Sequence, residues 1–163
     1  KDVYALLNAA GVASMNLLLA TPEETIKNII NTNLIGTIFC TREIMPAFVR
    51  SKVGRIINFS SFAVKIGLQG ESVYVASKAG VEGFSRSIAR ELASYNVTVN
   101  CISPGPIKTK LTEKVPTNYI NKVIDQQIFT EQCDEEDILN CVKLILDSKS
   151  NKITGENFII GGF

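Results

Sequence analysis

Histidine is absent from this 163-residue chain. Its absence removes Ser-His-Asp and Cys-His nucleophilic machinery and leaves few ligands for zinc or iron, so no metal site is expected. Any acid–base chemistry therefore falls to Tyr, Lys, Asp or Glu. Cysteine is sparse: Cys40, Cys101, Cys133 and Cys141 form no CxxC pair and no disulfide-like framework. That usage fits reduced thiols in a cytosolic protein. A net charge of +1 gives no electrostatic reason for nucleic acid or an acidic membrane as partner. No apolar run reaches the roughly 18 residues of a membrane span, and no signal-peptide pattern opens these residues. A cytoplasmic location is the expectation.

The chain alternates short apolar runs with longer segments of helical period, and has no internal repeat or low-complexity stretch. Residues 3–8 form a buried-strand candidate running into Ala9-Ala10-Gly11. Thr21-Pro22-Glu23-Glu24 then predicts a helix start, with Thr21 as N-cap, Pro22 at the first helical position and Glu24 closing a capping box. Ile26, Ile30, Asn33, Thr37, Ile44 and Phe48 track one face of that helix, and Pro46 is expected to kink it near its end. Arg55-Ile56-Ile57-Asn58-Phe59 reads as the next strand, ending at Ser60-Ser61. A second long helix is predicted from about Ser72, with Val81, Phe84, Ile88 and Leu92 as its apolar stripe. Its small residues Ala76, Ala79, Gly80 and Gly83 permit close approach to a neighbour. Residues 97–102 form a third strand, stopped by Ser103-Pro104-Gly105-Pro106. Asp134-Glu135-Glu136-Asp137 opens a last helix where its dipole favours acids, and residues 155–160 make a final strand.

Strand and helix in this alternation predict an α/β fold, a Rossmann-like doubly wound parallel sheet of about four strands with right-handed crossovers. Ligands of such sheets bind beyond the carboxyl ends of the strands. Residues 8–11, Ser60 with Ser61, and Pro104 with Gly105 all fall at such ends. Tyr74 and Lys78, at i and i+4 on a helix, share a face. An ammonium beside a phenol favours the phenolate and lowers a pKa that is ordinarily near ~10. With Ser61 nearby to hold the oxygen that receives the proton, the set has the chemistry of carbonyl reduction.

In order along nearly the whole chain, these segments resemble the short-chain dehydrogenase/reductase family, particularly its 3-oxoacyl-thioester reductase branch. Asn8-Ala9-Ala10-Gly11 is similar to the family's NNAG segment, and Asn33 in Asn31-Thr32-Asn33-Leu34 to its helix asparagine. Ser61, Tyr74 and Lys78 match the rest of the catalytic set. Asn100-Cys101-Ile102-Ser103-Pro104-Gly105 with Ile107 and Thr109 resembles the motif N-x-x-x-P-G-x-[IV]-x-T. Ile153-Thr154-Gly155 and Gly161-Gly162 resemble the ITG and DGG ending, with Ile160 standing where the family has Asp. Alone, each element has an ordinary structural explanation: a solvated helix face for Tyr74 and Lys78, a strand exit for residues 8–11, a turn for Pro104-Gly105. Their order is what makes the set specific.

The resemblance implies that Tyr74 protonates the substrate oxygen, Ser61 hydrogen-bonds it, Lys78 lowers the tyrosine pKa and holds the nicotinamide ribose, and Asn33 holds a relay water; Tyr74, like Lys78, is also expected to bind the cofactor. It implies that Pro104, Gly105, Ile107 and Thr109 bracket the nicotinamide, and that Asn8, Ala9, Ala10 and Gly11 lie along the adenosine side. It implies NADP or NAD as cofactor, with NADPH favoured. No TGxxxGxG fingerprint occurs in these residues, so the chain is expected to be the C-terminal portion of a longer enzyme, a single partial domain over 1–163. A variable substrate lobe is expected over 107–133, as a lid for an apolar or acyl-chain ketone or as a helical pair packed on the core. An acyl carrier protein is a further possible partner, with Lys52 positioned to meet it, although Tyr95 stands where carrier-binding relatives tend to be basic. A homodimer or homotetramer is expected through residues 21–51 and 72–93. The alternative is a catalytically silent oligomerisation module.

Overall fold

The structure, a computed structural model, describes residues 3–109, 111–113 and 115–163. Strands β1 (Ala5–Asn8), β2 (Gly54–Phe59), β3 (Val97–Pro104) and β4 (Asn157–Ile160) form one parallel sheet in the order β1-β2-β3-β4. Leu7 pairs with Ile57, Ile57 with Asn100, and Ile102 with Phe158. The central strands bury apolar side chains on both faces because both faces are covered. On one side Ile56, Val97 and Val99 pack against Phe48, Ile88 and Leu92. On the other, Ile57 and Ile102 pack against Cys141, Val142 and Ile145. The doubly wound α/β architecture read from the alternation is the one observed.

The covering helices are α1 (Glu23–Ile30), α2 (Gly36–Ser51), α3 (Ala63–Ile66), α4 (Ser72–Leu92), α5 (Thr117–Ile124) and α6 (Glu135–Leu146). Phe48 of α2 and Ile88 and Leu92 of α4 serve the first face, and Cys141, Val142 and Ile145 of α6 the second. Asp134 caps α6 as the acid cluster led us to expect. Its carboxylate accepts from Glu136 N at 2.9 Å and Asp137 N at 3.1 Å, and Asp137 reciprocates by accepting from Asp134 N.

The start of the first long helix differs from expectation. Pro22, with φ −61° and ψ 144°, is the N-cap, and no side chain caps this end. Thr21 lies one residue before that cap, and its hydroxyl is turned back to donate to Leu17 O at 3.0 Å. The expected single helix is also interrupted by a π-helical turn at Asn31–Ile35, between α1 and α2. Such widened turns often accompany functional sites. Here α4 packs close by: a Cβ added to Gly80 would lie 2.8 Å from Leu34 Cδ2, so the small residue sets how near the two helices come.

Of the 107–133 segment, positions 110 and 114 lie outside the described residues. The remainder carries α5, with Val123 and Ile124 buried and Ile128 and Phe129 exposed. It therefore packs inward and faces outward at once. Among the described residues no helix is long and apolar enough to cross a membrane.

Candidate active site

The end of β2 delivers Ser60 and Ser61 to the rim of the sheet, and Ser60 N donates to Ile102 O of β3 at 2.8 Å. Ser61 is buried, and its Oγ accepts from Ala63 N at 3.2 Å. From there the chain makes the short α3, reverses at Gly67 with φ 64°, and enters α4. The buried side of α4 carries Tyr74, Ser77, Lys78 and Val81, the helical spacing that the sequence pattern required. Lys78 Nζ donates to Phe59 O at 2.7 Å and stands 5.9 Å from the centre of the Tyr74 ring. Ser61, Tyr74 and Lys78 are thus brought together at the carboxyl end of β2.

Burial dominates the electrostatics. It pushes the Tyr74 phenol above its ordinary value, the Ser61 hydroxyl pulls it part of the way down, and the Glu71 carboxylate pushes it up again. Proximity of an ammonium predicts the opposite direction. The difference arises because removing a phenolate from water outweighs the neighbouring favourable contacts. The same desolvation holds Lys78 down to about 8.

Asn33 is fully buried in the π-helical turn. Its Oδ1 accepts from Val12 N at 2.8 Å, while Nδ2 donates to Val12 O at 2.9 Å and Ser77 Oγ at 3.0 Å. It therefore ties the loop after β1 to α4. Gly11 closes against both groups: a Cβ there would stand 3.4 Å from Lys78 Nζ and 3.5 Å from Asn33 Oδ1. Asn8 points elsewhere, its Nδ2 donating to Asn58 Oδ1 at 2.8 Å and Thr41 Oγ1 at 3.3 Å. Ala9 and Ala10 are exposed.

Two cavities meet at Ser61 and Tyr74. The first, of about 450 Å³, is walled mostly by apolar side chains, among them Met15, Leu68, Val115, Ile120 and Val123. The second, of about 560 Å³, is lined by Ala9, Gly11, Lys78, Pro104, Gly105, Ile107 and Thr109. Of the expected site residues, Asn8, Ala10 and Asn33 are not on either wall. Sequence reasoning missed Glu71, which lines the first cavity. Its place three residues before Tyr74, on the same helical face, was the available signal. It also missed Gln127, buried against Gly105 and Gly161, for which the sequence offers no signal.

A parallel sheet with a buried Ser-Tyr-Lys cluster beyond its strand ends describes a class of nucleotide-dependent α/β oxidoreductases. The family model described as enoyl-(acyl carrier protein) reductase matches residues 1–162, and the chain belongs to the short-chain dehydrogenase/reductase family. It is 34% identical to the 3-oxoacyl-[acyl-carrier-protein] reductase of Staphylococcus epidermidis (strain RP62A), over 99% of this chain and 66% of that protein. It is 35% identical to carbonyl reductase family member 4 of Xenopus laevis, over 99% and 66%. Among solved structures, 4-hydroxyisoleucine dehydrogenase complexed with NADH superposes with a TM-score of 0.91 at 32% identity, covering 99% of this chain and 68% of that one. The chain thus spans about two thirds of the length of the curated relatives it matches.

Proposed function

We propose that the natural protein is an NAD(P)-dependent oxidoreductase that moves hydride between a nicotinamide cofactor and a ketone or secondary alcohol, with a 3-oxoacyl thioester as substrate. The observation that carries this reading is the shared wall of the two cavities: Ser61 and Tyr74 belong to both. A carbonyl entering from the apolar side meets a proton donor there, with the other cavity on its far side. The 3-oxoacyl choice is supported by the reductases among the relatives and by the apolar side chains of the first cavity.

The second cavity fits the nicotinamide end of such a cofactor. Lys78 supplies a cation, Thr109 a hydroxyl, and Pro104, Gly105 and Ile107 a flat apolar edge. Gly11 presents no side chain beside Lys78, which leaves room for a sugar hydroxyl to approach the ammonium. When bound, the reduced cofactor supplies the hydride; NADPH remains our expectation over NADH. Tyr74 gives its phenolic proton to the substrate oxygen as that hydride arrives. Ser61 donates a hydrogen bond to the same oxygen and stabilises the negative charge developing on it. Lys78 restores the balance by favouring the tyrosinate left behind. Asn33 has both Nδ2 hydrogens engaged and one Oδ1 lone pair in use. The second lone pair is the acceptor left for a relay water to Lys78, whose entry requires the fully buried Asn33 to be uncovered on the side of Gly11, where no side chain intervenes.

Association through residues 21–51 and 72–93 is part of the same proposal, supported by Phe39 of α2, which is 56% exposed. An acidic carrier protein fits Lys52, exposed at the end of α2. The test is oxidation of NADPH or NADH by the natural full-length protein with an acetoacetyl thioester. Turnover that depends on the thioester supports the reading, and its absence with both cofactors overturns it.

A further inference from the structure

Glu71 is an acid on a wall otherwise built of apolar and hydroxyl-bearing side chains. It immediately precedes α4, yet its carboxylate does not cap that helix. It lines the first cavity beside Tyr74, with Leu68 and Ile120 nearby on the same lining. Among the described residues, the ion pairs are Lys27 with Glu23 and Lys143 with Glu136, and none involves Glu71. Its charge reaches two phenols from different helices, Tyr74 of α4 and Tyr119 of α5, pushing both up. Burial raises its own pKa to about 6, so at neutral pH it is ionised and the cavity carries a negative charge next to the proton donor.

We propose that Glu71 selects substrates by charge, admitting 3-oxoacyl groups masked as neutral thioesters or esters and rejecting the free 3-oxo acid. The inference rests on Ser61 and Tyr74 being the reduction site. A 3-oxo acid carries its carboxylate two bonds from the carbonyl that must sit between those residues. Two like charges brought into one cavity walled mostly by apolar side chains repel more than they would in bulk water, because such walls screen them less. A thioester presents the same carbon skeleton without the charge. Discrimination by a repulsive element of this kind needs no new attractive contact to the favoured substrate. The other titratable side chains on this lining, Tyr74 and Tyr119, are neutral across the range in which Glu71 ionises, and the Lys78 ammonium lines the other cavity, where Phe59 O holds it.

The experiment compares ethyl acetoacetate with acetoacetate as substrates of the natural full-length protein, using wild type, Glu71→Gln and Glu71→Ala. Wild type is expected to favour the ester. In either variant the ester-to-acid ratio of kcat/KM should fall by about tenfold or more, chiefly through faster acetoacetate reduction. In wild type the same ratio should fall as the pH is lowered through about 6, where acetoacetate is still ionised. A ratio that stays constant in both variants while both compounds are reduced overturns the role of Glu71 and leaves the reduction site intact. Failure of wild type to reduce either compound overturns the reading of the site, and this inference with it.

Discussion

Lys78 Nζ stands 5.9 Å from the centre of the Tyr74 ring while donating to Phe59 O at 2.7 Å. The helical spacing of α4 puts the two side chains on one face, and the last carbonyl of β2 fixes where the ammonium stops. Strand and helix are therefore both needed to define the cluster. A cation over an aromatic face is itself attractive, and the buried setting makes the ammonium harder to keep charged.

The first expected outcome concerns that ammonium. Lys78 should titrate near 8 in the cofactor-free protein, well below its ordinary 10.5. Carbon NMR of labelled lysine side chains would show one resonance moving near that pH and missing in Lys78→Met. The sign for stability follows from a depressed folded value: Lys78's contribution is present above about 10.5 and is lost as pH falls through about 8. A lysine spectrum with every resonance titrating above 10 would contradict the burial argument.

Glu71 carries the opposite sign. Its folded value, about 6, lies above the ordinary 4.5, so the folded state holds the proton more tightly than the unfolded one. Its contribution is fully present below about 4.5 and is lost as pH rises through about 6. Glu71→Gln should therefore stabilise the protein at pH 7.5 by on the order of 1 kcal/mol, after discounting for the partial exposure of the carboxylate. The gain should vanish below pH 4.5, which urea unfolding at the two pH values would show. An equal gain at both would assign the effect to packing.

Asn33 is expected to matter for the fold as well as the site. Truncation to Ala leaves Val12 N, Val12 O and Ser77 Oγ without their present partner. Orphaning buried groups costs roughly 1–3 kcal/mol each when no water replaces the partner, so a total loss of about 3 kcal/mol is expected. Denaturant unfolding of Asn33→Ala measures it. A loss below about 0.5 kcal/mol, the size of an ordinary surface change, would mean that the loop after β1 is held by other contacts.

Much of this was legible because the determining signals are local. Ile56-Ile57 and Val97 to Val99 announce strands that are buried on both faces. Asp134 with Asp137 announces a capped helix. Ser61 follows a strand, and Tyr74 and Lys78 share a helical face, so their convergence follows from the α/β rule for strand ends. What was not legible depends on partners distant in sequence. The π-helical turn is stabilised where Asn33 reaches Val12 and Ser77, and where Leu34 meets Gly80. Pro22 rather than Thr21 is the N-cap, with the Thr21 hydroxyl turned back to Leu17 O. The rise of the Tyr74 pKa reflects burial, which spacing cannot report. Glu71 gains its significance only from the fold, which sets a cavity before it.

Tyr74 is the proton donor on which the proposed reduction turns. Tyr74→Phe keeps the ring and removes only the phenolic hydroxyl. In the natural full-length protein, with an acetoacetyl thioester, we expect kcat to fall by about 10²–10⁴-fold, the range typical of losing a general acid. Cofactor affinity, followed by fluorescence titration, should change by less than about threefold, since the contacts assigned to Lys78, Pro104 and Thr109 persist. Turnover within about fivefold of wild type would contradict the assignment of Tyr74 as the general acid.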